Sequence, residues 1–317
     1  MIFAGQTASQ NPLANHDFEA LKQQFAHRLT EANSLDLLAQ IQIVPVMVPE
    51  WEFTVQTATI HTATIQNPSG DRSPLLLLHG FDSSVLEFRR LFPLLSQVRE
   101  TWAIDLLGFG FSDRPPEFAI NPDRIKQHLY HFWQQYLQER SFILVGASMG
   151  GAAALDFALS YPQAVEKLVL IDGAGVQTGP ILGKYLFPPL DTWAVAFLRR
   201  SDVRQKISRN AYADPDRFVT LDAEACAALH LEMPRWAEAL KSFTKSGGYP
   251  SFRSHLSELK AQTLILWGRY DRILGLKDAT VLAENIPHAT LKWIDESGHV
   301  PHLEQPEITA QMIVDFI

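Results

Sequence analysis

The sequence predicts an α/β fold: a mostly parallel, eight-stranded sheet with helices on both faces and a helical lid inserted late in the chain. Three observations carry that prediction. From Leu75 onward, apolar runs of strand length alternate with longer stretches of helical spacing, the pattern of a parallel sheet buried on both sides. The stretch 176–257 is helical in tone and too long to be a plain connection within a domain. The 317 residues, 46% hydrophobic and 20% charged, have the composition of a globular protein able to bury a large core.

The elements follow in chain order. Phe18, Leu21, Phe25, Leu29 and Ala32 recur every three or four residues, which places an amphipathic helix over 17–41. Its polar face is of mixed charge, so it is expected to pack on the domain body rather than on a membrane. Residues 51–57 and 58–66 are rich in Thr, Val and Ile and read as an antiparallel pair, followed by the turn Asn67-Pro68-Ser69-Gly70. Strands at 75–78, 102–106 and 142–145 then alternate with helices at 85–98, 124–138 and 149–159. Strands at 167–171 and 263–267 flank the insertion, and 291–294 precedes a last helix from Pro306. The expected division is a lead-in with its helix (1–50), a core (51–175 and 258–317) and a lid (176–257).

Charge and composition exclude several functions. With 27 Lys and Arg against 35 Asp and Glu, the net charge is −8, and no basic run exceeds two residues, which argues against a nucleic-acid partner. One cysteine, Cys226, can form neither an internal disulfide nor a cysteine zinc site, and reads as a small residue of an alanine-rich helix. Gly108-Phe109-Gly110 lacks the third glycine of a dinucleotide fingerprint. No P-loop lysine, HExxH pair or metal-ligand histidine spacing occurs, so neither cofactor nor metal is expected. Residues 1–24 show no basic leader ahead of an apolar block, and no apolar run reaches membrane-spanning length. A cytoplasmic location is expected.

The strongest chemical signal is Gly146-Ala147-Ser148-Met149-Gly150-Gly151, between an apolar strand and a helical run. A serine on so sharp a strand-to-helix turn needs residues without Cβ two places either side, which makes Ser148 the candidate nucleophile. Serine needs a base held by an acid. Downstream, Asp271 follows the strand at 263–267, and His299, in Ser297-Gly298-His299, follows the last strand. His299 is the candidate base and Asp271 the candidate acid, with Asp172 after the preceding strand as the alternative acid. His302 reads as part of a turn into the last helix. The loop His79-Gly80-Phe81-Asp82-Ser83 is expected to supply the Phe81 N–H, paired with that of Met149, as an oxyanion hole, and His79 to be structural.

Together, His79-Gly80-Phe81, the run from Asp105 to Asp113, the Ser148 elbow, Asp271 and Ser297-Gly298-His299 resemble the α/β-hydrolase superfamily over nearly all of 51–317. Haloalkane dehalogenases and epoxide hydrolases carry a carboxylate at the elbow, where this chain has Ser148, so the resemblance implies acyl transfer through serine. A narrower resemblance is to the chlorophyll dephytylases, esterases that remove phytol from chlorophyll. It rests on the run from Val165 to Ile171, on Leu229-His230-Leu231-Glu232-Met233-Pro234-Arg235-Trp236, on Ser246-Gly247-Gly248-Tyr249 and on Ser297-Gly298-His299-Val300-Pro301-His302. The elbow departs from that family, with Ala147 and Met149 in place of Pro and Leu. The plant members carry a plastid transit peptide, whose Arg-rich, acid-poor character is missing from residues 1–24, so a photosynthetic prokaryote is the expected source.

The resemblance implies an apolar ester as substrate, chlorophyll among them, bound by Phe187, Trp193, Met233 and Trp236 of the lid. It also implies peripheral contact of the apolar stretch 181–198 with a photosynthetic membrane. The competing expectations are a carboxylesterase or lipase for other apolar esters and, from a different class, a non-catalytic hydrolase-like receptor.

Overall fold

In a computed structural model that describes residues 15–62, 72–178 and 189–317, the apolar runs form one eight-stranded sheet of order β1-β2-β4-β3-β5-β6-β7-β8. Its strands are β1 (Gln42–Val48), β2 (Phe53–Thr62), β3 (Leu75–Leu78), β4 (Thr101–Ile104), β5 (Phe142–Ala147), β6 (Val165–Ile171), β7 (Gln262–Gly268) and β8 (Thr290–Ile294). Strands β3 to β8 pair in parallel, and β2 joins β1 and β4 antiparallel. The helices are α1 (Asn15–Ala26), α2 (Ala32–Gln40), α3 (Phe92–Ser96), α4 (Pro122–Tyr136), α5 (Met149–Ser160), α6 (Leu190–Arg199), α7 (Ser201–Ala211), α8 (Pro215–Phe218), α9 (Leu221–Cys226), α10 (Trp236–Ser246), α11 (Lys277–Asn285), α12 (Pro301–Glu304) and α13 (Pro306–Phe316).

The central strands are buried on both faces and run without polar alternation: Leu75-Leu76-Leu77-Leu78 is entirely buried. Two apolar clusters cover the sheet. One gathers Leu76, Leu144, Phe132 and Phe157 with α4 and α5; the other gathers Leu75, Leu77, Val145 and Leu266 with Phe18, Phe25 and Ile313. The N-terminal region therefore packs on the body, as its apolar spacing predicts.

Three expectations need correction. Residues 51–57 and 58–66 are not a hairpin: Phe53–Thr62 is one strand, and its antiparallel partner is Gln42–Val48, from the segment read as lead-in. The helix expected over 17–41 is two helices, broken where Asp222 Oδ1 accepts the Thr30 and Glu31 N–H groups at 2.6 and 2.8 Å. The helix expected over 85–98 is a 3-10 turn, Val85–Phe88, followed by the short α3. The turn at 67–70 lies outside the described residues.

Between β6 and β7 the described chain forms five helices, α6 to α10, on the side of the sheet where the strands end. Among the described residues no helix is long and apolar enough to cross a membrane.

Candidate active site

Ser148 ends β5 and begins α5 with φ 51° and ψ −119°, a left-handed conformation that costs a non-glycine residue about 1–3 kcal/mol. The flanking glycines are what let the chain turn there. A Cβ on Gly146 would stand 2.3 Å from the Gly150 carbonyl oxygen, and one on Gly150 would stand 2.1 Å from the Leu78 carbonyl oxygen. Strand, nucleophile and helix are thereby pressed against β3.

The structure brings Ser148, His299 and Asp271 together. His299 Nε2 lies 2.8 Å from Ser148 Oγ, and Nδ1 lies 3.0 Å from Asp271 Oδ2. The other Asp271 oxygen accepts the Ile273 and Leu274 N–H groups at 2.7 and 3.1 Å, which fixes the carboxylate. Burial alone would raise the Asp271 pKa; the His299 ring and those two amides hold it below the ordinary carboxylate value. The alternative acid, Asp172, is fully buried and bonded to the Gly268 N–H at 3.1 Å. Burial, then the neighbouring Asp271 charge, push its pKa well above the usual range.

The loop carrying His299 is held by Glu304, whose carboxylate accepts the Gly298 N–H at 2.6 Å and the Ala213 N–H at 2.8 Å. The His299 N–H donates to the Ala211 carbonyl at 2.7 Å. The base loop and the insertion thus share one set of partners. His302 is a buried neighbour of Glu87, at 3.2 Å, and not of Ser148.

The loop after β3 passes beside the nucleophile: a Cβ on Gly80 would sit 3.3 Å from the Ser148 Cβ. Gly80 N–H donates to Glu87 Oε2 at 3.0 Å. Among the described residues the Phe81 N–H has no described partner, and the Met149 N–H, in the first turn of α5, is one of the amides a helix leaves unbonded within itself. His79 is structural, as expected. Its Nε2 accepts the Leu106 N–H at 3.1 Å, so its Nδ1–H donates to the Gly80 carbonyl at 2.7 Å, and burial drives its pKa down to about 4.

A cavity of about 280 Å³ opens on Ser148 and His299. Phe81, Leu303, Val300 and Ile273 line it from the body, and Ile207, Tyr212, Val219 and Ala227 from the insertion. Of the residues read as substrate-binding, Phe187 lies outside the described residues. Met233 is buried in the apolar cluster beneath α9, and Trp236 is buried with its indole N–H bonded to Asp82 at 2.7 Å; neither lines this cavity. Trp193 is 65% exposed on the outside of α6. The insertion residues that do line the cavity include Ile207 on α7 and the residues that close α7, α8 and α9, Tyr212, Val219 and Ala227, where the sequence carries no chemical motif, so only packing reveals them.

Asp105, which opens the run to Asp113 around Gly108-Phe109-Gly110, accepts the Val85 and Phe111 N–H groups at 2.6 Å each, and a Cβ on Gly110 would collide with its carboxyl. That run braces the loop below the site. Asp172, Asp271 and His299 are near enough to one another to hold a cation, but the His299 ring there is already bonded on both sides, to Asp271 and Ser148.

Comparison with known proteins follows the same geometry. A family profile described as alpha/beta hydrolase fold matches residues 73–306. The alpha/beta hydrolase domain-containing protein VTE7 of Arabidopsis thaliana is 37% identical over 247 residues, covering 78% of this chain and 74% of its own. The 2-hydroxymuconate semialdehyde hydrolase of Pseudomonas sp. (strain CF600) is 29% identical over 255 residues, covering 78% of this chain and 88% of its own. Among solved structures, a thermophilic esterase from Thermogutta terrifontis superposes with a TM-score of 0.73 at 22% identity, covering 87% of this chain and 97% of that one.

Proposed function

The chain belongs to the α/β-hydrolase fold family, and we propose that it is a serine hydrolase that cleaves a bulky apolar carboxylic ester through an acyl-enzyme on Ser148. The observation that carries this reading is the unbroken hydrogen-bonded line from Ser148 Oγ through His299 to Asp271. His299 Nε2 takes the serine proton as Oγ attacks the ester carbon. Asp271 holds the ring by Nδ1–H and stabilises the imidazolium that forms. The developing oxyanion meets the Phe81 and Met149 N–H groups, each such donor being worth roughly 10²–10³ in rate. Collapse expels the alcohol, which receives its proton from His299. Water, deprotonated by the same ring, then frees the acid and restores Ser148.

The substrate class we propose is a phytyl ester, chlorophyll giving chlorophyllide and phytol. What supports it is the resemblance of the lid segments to chlorophyll dephytylases and the apolar lining of the cavity. Contact with a photosynthetic membrane is then peripheral, through Leu190, Trp193 and Phe197 of α6, all exposed. The competing readings are a carboxylesterase or lipase for other apolar esters and, given the relative named as a 2-hydroxymuconate semialdehyde hydrolase, hydrolysis of a semialdehyde of that kind.

One assay separates them. Chlorophyll in detergent micelles is offered beside p-nitrophenyl esters and a semialdehyde of the muconate type, with chlorophyllide and free phytol measured and Ser148→Ala as the control. Phytol release that disappears with Ser148→Ala is the expected result. Turnover of the semialdehyde alone, or phytol release that survives the substitution, would reject the reading.

A further inference from the structure

The run from Leu229 to Trp236 stands out in the sequence, yet hydrolysis at Ser148 makes no demand on it. The structure gives it a target. His230 Nε2 and Trp236 Nε1 both donate to Asp82 Oδ1, at 3.1 and 2.7 Å, and Arg204 Nη1 donates to Asp82 Oδ2 at 2.6 Å. The three donors come from the 3-10 turn Leu229–Glu232, the start of α10 and the middle of α7, so three separate stretches of the insertion converge on one carboxylate of the body. Among the described residues no donor from the body bonds that carboxylate.

Asp82 is the residue after Phe81. We propose that Asp82 is a positioning residue that makes the Phe81 amide available to the oxyanion only while the insertion is seated. This rests on the reading of Ser148 as nucleophile and of Phe81 N–H as oxyanion donor. The loop is gripped from two sides. The body holds Gly80 through Glu87, itself buried beside His302, and the insertion holds Asp82. Phe81 is suspended between the two anchors.

The insertion's grip matters because its three donors are the described side-chain partners of Asp82. Asp82 has φ 48°, in the left-handed region that Asp enters more readily than most L residues, so the backbone there does not hold itself in place by strain. Its carboxylate is nearly buried, and His230, Arg204 and Trp236 keep it ionised against the opposing effect of burial. Lifting the insertion would take all three partners from the Asp82 carboxylate at once and uncover it, so that the carboxylate is free to turn toward water. Phe81 moves with it. A substrate entering past a lifted insertion then meets a nucleophile whose oxyanion hole is incomplete until the insertion reseats.

The test uses Trp236→Phe and Arg204→Met, which remove a donor on the insertion side, and Asp82→Asn, which removes the charge. On a soluble p-nitrophenyl ester, kcat is expected to fall roughly 10- to 100-fold with KM changed less than about twofold, since the lost interaction belongs to the transition state. The double variant Asp82→Asn/Trp236→Phe should be no slower than Asp82→Asn alone, because both act through one contact. Hydrogen exchange supplies a readout independent of turnover. Amides 79–84 should exchange faster in Trp236→Phe, while 142–147 in β5 stay protected. Unchanged exchange at 79–84, multiplicative losses in the double variant, or a raised KM at constant kcat would overturn the proposal. If the wild type turns over no ester, the reading of the reaction fails, and exchange alone decides whether the insertion holds the loop.

Discussion

Asp172 and Asp271 present their carboxyl groups to one another, with oxygens within 4.8 Å, at the ends of adjacent strands, and their pKa values are driven in opposite directions. Asp271 faces His299 and two backbone amides, which hold its pKa down; Asp172 faces Gly268 and the Asp271 charge, and burial with that charge pushes its pKa up. Only Asp271 is bonded to the His299 ring, so the two are not interchangeable.

From this relationship, Asp271→Asn should lower kcat by about 10⁴, as loss of the ring-orienting carboxylate does in such triads. Asp172→Asn keeps a donor toward Asp271 and should cost less than about tenfold. Steady-state kinetics on one soluble ester compares them; the reverse order would assign the acid to Asp172.

Ser148 holds a strained backbone, with φ 51° and ψ −119°, at the position proposed for the nucleophile. Replacing it by glycine removes both nucleophile and strain, while alanine removes the nucleophile alone. Ser148→Gly should therefore be about 1 kcal/mol more stable than Ser148→Ala, after allowance for the added freedom of glycine in the unfolded chain. Both should be inactive and refuse a serine-directed phosphonate. Urea titration of the pair decides, and equal stability would show that the turn is not strained.

His128 offers a pH test away from the site. It is fully buried, bonded through Nε2 to Thr57 Oγ1 at 2.8 Å, and burial, with some help from His131, drives its pKa down to about 3. The unfolded chain takes a proton near pH 6.5 that the folded chain refuses, so this group's contribution is whole above pH 6.5 and is lost as the pH falls toward 3. Between pH 7 and 5 the wild type should lose about 2 kcal/mol more stability than His128→Gln. Parallel losses in urea titrations at the two pH values would contradict this.

On the outer face of α6, Trp193 and Phe197 are 65% and 55% exposed. Trp193→Asp and Phe197→Asp should each weaken binding to liposomes and turnover of bilayer-held chlorophyll by roughly tenfold or more, from the 1.5–3 kcal/mol of one buried ring. Hydrolysis of a short soluble ester should change little. Equal losses on both substrates would make these rings part of the pocket's support and not a membrane contact.

What was legible in the sequence follows from how local its cause is. The elbow could be read because Gly146, Ser148 and Gly150 form a short local pattern between an apolar strand and a helix, and His299 and Asp271 because each sits in a loop soon after a short strand near the end of the core. The hairpin partner β1 was hidden by Pro45, which argues against a strand unless the strand lies at an edge, where β1 does lie. The break between α1 and α2 had no local sign, since its cap is Asp222, some 190 residues away. Trp236 reads as substrate-binding by resemblance, but a distant carboxylate claims its indole N–H.

The order of the strands along the chain has a consequence for biosynthesis. Ser148 closes β5, near the middle of the chain, and the loop that meets it follows β3, so elbow and oxyanion loop emerge early from the ribosome. Asp271 and His299 follow β7 and β8, after the entire insertion, and His299 is further tied to Glu304 through Gly298. On the proposed mechanism, a chain that stops before β8 carries Ser148 without His299 beside it. Reactivity toward esters, on that mechanism, waits until the His299 loop has docked against β7 and the insertion.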